Sequence, residues 1–112
     1  MMVLNTGINI FKELREDVET TKRHLMIIES LMKEQPAGIV KIAQTTGIPE
    51  HKIRYSLRIL ERDGIIIPSR EGAIITPEFL EQKQHILIEV REIMKDLNAM
   101  EEQIGKSFFG KK

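Results

Sequence analysis

The chain has no cysteine, which excludes a disulfide framework, a thiolate nucleophile and any Cys-based zinc site. Its three histidines, His24, His51 and His85, lie far apart, with no His-x3-His pair and no carboxylate-rich loop, so no metal is expected. Long hydrophobic runs are missing too. The longest, Leu25 to Ile28 and Ile65 to Pro68, are about four residues, against the roughly 20 needed to span a bilayer. The first residues, MMVLNTGINIFKELRE, carry no basic segment followed by a sustained apolar one, so a cytoplasmic protein without membrane contact is expected. Net charge is zero, with 17 basic and 17 acidic residues, and bulk charge therefore gives no nucleic-acid signal.

The distribution of charge says more. Residues 35–60 hold Lys41, Lys52, Arg54 and Arg58 against Glu50 alone, whereas 11–34 and 77–112 are each slightly acidic. At 112 residues the chain permits one modest core.

Apolar residues recurring by three or four from Phe11 through Leu14, Val18, Leu25 and Ile28 to Met32 predict a helix over Asn9 to Glu34, with a possible break at Thr20-Thr21. Gln35-Pro36-Ala37-Gly38 stops it. A short helix fits Ile39 to Thr46, with Ile39, Ile42 and Ala43 on one face. Gly47 follows as its end, four residues after small Ala43, where it would let two helices approach closely. Pro49 suits the opening of a third helix, which runs to Asp63 and is ended by Gly64. Ile65–Pro68 and Ala73–Thr76 then predict a two-stranded hairpin with the four-residue loop Ser69 to Gly72. Thr76-Pro77-Glu78 reads as an N-cap, N1 proline and first-turn acid. The helix it starts is expected to reach Ile104 and stop at Gly105.

The third helix carries the functional signal. At about 100° per residue, Ile53, Leu57 and Leu60 form a core stripe, and His51, Tyr55, Arg58 and Arg62 form the opposite one, flanked by Lys52 and Arg54. A helix fits the major groove, where Arg makes bidentate bonds to guanine. Flanking cations neutralise phosphates, and a tyrosine can donate to a phosphate. Ser69 and Arg70 at the hairpin tip lie where an adjacent minor groove or backbone would be touched.

The segment IAQTTGIPEHKIRYSLRILERDGIIIPSREGAIIT resembles the DNA-binding module of winged-helix transcription regulators related to the MarR and ArsR groups. It is most similar to small archaeal regulators whose third helix reads TGIPxHKxRYSLRxLExxG, and the resemblance covers about Lys22 to Thr76. It implies a recognition helix over Pro49–Asp63, a wing over Ile65–Thr76, and His51, Lys52, Arg54, Tyr55 and Arg58 turned to DNA. Pro49 stands where many relatives carry a Ser or Thr cap, and the wing is short with one Arg. Family members commonly dimerise through helices outside the module.

The last helix offers a surface for that. Phe79, Ile86, Val90, Ile93, Leu97, Met100 and Ile104 make a seam, with Lys83 as its one polar member, stepping by four and three from Ile86 onward. It marks either a homodimer interface or a hairpin with the N-terminal helix. Phe108-Phe109 in the tail are expected to be disordered or docked. Gly105-Lys106-Ser107 imitates the end of a phosphate loop, but Met100 stands where the motif needs glycine. No nucleophile, base and orienting residue form a set, so an enzyme is not expected.

The expected architecture is mainly α with a small β-hairpin: a winged helix-turn-helix with long N- and C-terminal helices. Its parts are an extension over 1–21, the DNA-binding domain over 22–76, a dimerisation helix over 77–105 and a tail over 106–112. The expected function is sequence-specific binding of double-stranded DNA by a homodimeric transcription regulator, without cofactor or metal. A second reading is a protein-interaction adaptor working through the long C-terminal helix, for which the basic stripe would be dispensable.

Overall fold

The structure, a computed structural model, describes residues 9–110. Residues 1–8 of the expected extension and 111–112 of the expected tail lie outside them. The chain is mainly helical with one small antiparallel hairpin and a long C-terminal helix. It divides into two compact units between Phe79 and Leu80.

The first unit is built on α1 (Lys12–Lys33), α2 (Ile39–Thr46) and α3 (Glu50–Arg62), followed by β1 (Ile66–Ser69) and β2 (Gly72–Ile75). It closes with the start of a short helix, α4 (Pro77–Gln82). Helix α1 runs unbroken through Thr20-Thr21. β-Branched threonine costs a helix only a few tenths of a kcal/mol, roughly, too little to break one. Only its second half is buried, through Ile27, Ile28, Ser30 and Leu31. Phe11, Leu14 and Val18 are exposed.

These helices converge because their apolar stripes meet. Ile27 and Leu31 of α1, Ile42 of α2 and Ile53 of α3 are fully buried, joined by Leu60, Ile66 and Ile75. Leu57, expected in the core, is only partly buried, and Ile48 in the α2–α3 turn takes a core place instead. Gly47 ends α2 at φ 78°, its N–H donating to Ala43 O at 2.8 Å. A Cβ there would touch nothing within 4 Å. The glycine therefore serves the left-handed backbone and not a close helix approach. Pro49 is the N-cap of α3 and not its first helical residue; its carbonyl accepts from Lys52 and Ile53 N–H.

The Gln35–Gly38 segment does more than end α1. Ala37 and Ala73 exchange N–H···O bonds of 3.2 and 2.8 Å, and Ile75 N–H donates to Gln35 Oε1 at 2.7 Å. The segment thus covers the edge of β2 away from β1. Gly72 lies beneath it at φ 131°, and a Cβ there would sit 2.3 Å from the Ala37 carbonyl carbon. The hairpin loop has two residues, Arg70 and Glu71, because Ser69 and Gly72 still pair and the Ser69 hydroxyl donates to Gly72 O at 2.6 Å. Pro68 faces Ala73, whose own backbone bonds go to Ala37. That is a non-hydrogen-bonded pair, so the missing N–H of Pro68 leaves no gap in the ladder. Thr76 is buried, donates to Gly64 O at 2.8 Å and accepts from Phe79 N–H at 3.1 Å, which makes it the cap of α4.

The expected single helix from Pro77 to Ile104 is two helices. The α-helical hydrogen-bond pattern is interrupted at Lys83, whose φ of −63° and ψ of −23° stay helical, and α5 runs from Gln84 to Phe109. Phe79, placed by sequence at the head of the seam, packs against the core of the first unit. Helix α5, in the second unit, continues through Gly105, the expected stop, and ends at Gly110 with φ 64°. A glycine inside a helix costs only about 1 kcal/mol. Phe108 and Phe109, expected to be disordered or docked, are helical and exposed. On α5 the residues Val90, Ile93, Leu97, Met100 and Ile104 are also exposed within this single chain. Among the described residues, no helix is long and apolar enough to cross a membrane.

Candidate nucleic-acid interface

Helix α3 turns one side to the core through Ile53 and Leu60. At about 100° per residue, Arg54, Arg58, His51 and Arg62 fall within roughly 80° of one another on the opposite side. All four are exposed, as is Lys52 near the start of the helix. Among the described residues, Lys52, Arg54, Arg58 and Arg70 take part in no ion pair. Arg62 differs: its Nε donates to Asp63 Oδ1 at 3.1 Å. Arg70 occupies the exposed two-residue tip of the hairpin. Ser69 beside it, expected at the contact surface, is held inward by its bond to Gly72 and braces the tip.

Tyr55 does not stand free on the outer face. Its ring stacks on His24 of α1, with centroids 6.3 Å apart and planes 28° from parallel, and the Arg23 guanidinium lies 5.9 Å from its centroid. The residue remains 44% exposed. Behind it, Ser56 is fully buried and joins the two helices. Arg23 Nε donates to Ser56 Oγ at 3.0 Å, and His24 Nδ1 lies 2.8 Å from the same oxygen. The Ser56 hydroxyl has two lone pairs and one proton, so it accepts from Arg23 and pairs with His24 Nδ1 in either ring tautomer. Burial pulls the His24 pKa below its ordinary value of 6.5, and the neighbouring Arg23 charge adds to this. The Asp63 carboxylate opposes them.

Arg23, His24 and Ser56 are not marked as site residues by the sequence. It carries one signal: Ser56 sits three residues after Ile53 and four before Leu60, on the core side of α3, where a polar group needs a partner. Its partners are more than 30 positions away in the chain.

The arrangement is an exposed, cationic helix face held by a hydrophobic stripe behind it and clamped to α1 by a buried hydroxyl. Chemically it can place guanidinium donors against a groove or a phosphate row. No family model matches this chain, and no curated protein is significantly similar to it.

Proposed function

We propose that the first unit is a winged helix-turn-helix module that binds double-stranded DNA in a sequence-specific way, with α3 as the recognition helix and the β1–β2 hairpin as the wing. The observation that carries this is the exposed pair Arg54 and Arg58, without an ion-pair partner among the described residues, on the side of α3 opposite Ile53 and Leu60. A solvated helix face has no need to concentrate cations without counter-charges in a chain of zero net charge. His51, Lys52 and Arg62 add to the same helix, Tyr55 borders it, and Arg70 supplies the wing. The protein acts as a cytoplasmic homodimeric transcription regulator. Ile86, Val90, Ile93, Leu97, Met100 and Ile104 of α5 form its dimer seam, which Phe108 extends by one further turn.

The test is titration of the protein against mixed-sequence duplex DNA by fluorescence anisotropy over a salt series, beside a folded Arg54→Glu/Arg58→Glu variant. Binding falls steeply with salt, because phosphate neutralisation releases counterions, and the variant loses it. Equal binding by the variant, or none at low salt, overturns the reading. The exposed apolar side chains of α5 favour one other function, a protein-interaction adaptor. In that case the basic face of α3 tolerates acidic replacement.

A further inference from the structure

Arg23 is half-buried on α1, away from the helix that carries the basic face, yet its guanidinium lies beside that face. Its Nε is spent on the buried hydroxyl of Ser56. Among the described residues, its two terminal nitrogens have no hydrogen-bond partner and its charge has no carboxylate within ion-pair distance. The fork is therefore fixed at one corner and open at the other. Tyr55 lies against it, and His24, stacked on the same ring, has its Nδ1 taken by Ser56 and its Nε2 without a partner among the described residues. Arg23 and His24 thus both lie against one half-exposed aromatic ring.

An arginine held this way has already lost its rotamer entropy, so an incoming anion meets a donor pair at little further ordering cost. Planar forks of this kind match phosphate oxygens. From this we infer that Arg23 and His24, anchored by Ser56 and bordered by Tyr55, form a phosphate-binding station for the backbone of duplex DNA on the α1 side of α3. The inference rests on the duplex-binding reading above and adds to it a contact from outside the recognition helix. The station reads no base. It fixes how α3 is registered against the strand, as backbone contacts do.

The experiment compares wild type, Arg23→Gln and Arg58→Gln on two duplexes of unrelated sequence, by anisotropy over a salt series, with folding checked by circular dichroism. Arg23→Gln weakens both duplexes alike, on the order of tenfold at low salt, and lowers the salt slope by about one. Full affinity and full slope in a folded Arg23→Gln, with Arg58→Gln still weakened, overturn the station and leave duplex binding standing. Absence of salt-dependent binding by wild type overturns both. Should Arg23→Gln not fold, NMR on the wild type decides. Duplex addition shifts the ring signals of His24 and Tyr55; unmoved rings beside a shifted Arg58 amide overturn the station.

Discussion

Ser56 of α3 and Arg23 of α1 are joined by a 3.0 Å bond from a part-exposed guanidinium to a fully buried hydroxyl. The bond is made where the two helices meet, and His24 shares the same oxygen. A bond to a charged donor contributes about 1.5–3 kcal/mol, but Arg23 regains water when the hydroxyl is removed. Ser56→Ala should therefore cost about 1–2 kcal/mol, measured by urea unfolding. A variant as stable as wild type would show that the hydroxyl only fills space.

His24 gives stability a pH dependence. Its folded-state pKa lies below the ordinary 6.5, so the unfolded chain binds the proton more readily. The contribution of neutral His24 is fully present above about 6.5 and is lost as pH falls from there through the lowered folded value. The melting temperature should drop as pH is taken below 6.5, and His24→Gln should flatten that segment of the curve. An unchanged slope in the variant assigns the effect to other groups.

Two glycines separate two kinds of requirement. Gly47 needs only its left-handed backbone, so Gly47→Ala should cost about 1 kcal/mol. Gly72 needs its backbone and also the space under Ala37, and Gly72→Ala should cost clearly more while loosening the Ala37–Ala73 rung. Hydrogen exchange at Ala37 and Ala73 amides, read beside the two unfolding curves, checks the ranking.

Leu97 lies exposed at the middle of the α5 seam. Leu97→Asp should convert a dimer to a monomer in analytical sedimentation, because an unpaired carboxylate at the centre of an apolar seam is expensive to bury. A variant that still sediments as a dimer moves the interface off this seam.

Elements with a strong period are legible in the sequence. The Ile53–Leu60 stripe, the α2 face of Ile39, Ile42 and Ala43, and the Thr76 cap all follow from local rules, and all stand where those rules put them. The misses share a cause. Ser56, Arg23 and His24 meet only in three dimensions, across more than 30 residues, and no local pattern links them. Gln35 and Ala37 look like a mere stop because their partners, Ile75 and Ala73, are far along the chain. At Lys83 and Gly105 the intrinsic preferences are weak, so residue type alone decides neither the break at one nor the continuation through the other. Phe79 matches two surfaces by spacing, and burial against the first unit decides between them.

The register that makes Pro68 harmless to its own hairpin also makes it hostile to strangers. Alternation along β1 turns the backbone of Ile66 and Pro68 outward, and of these only Ile66 carries an N–H. The opposite margin, on β2, is already occupied by Ala37 and Gln35. A foreign strand arriving at either side therefore finds no continuous row of donors and acceptors to zip onto. The two-stranded sheet is thereby protected against recruiting another chain into an aggregate.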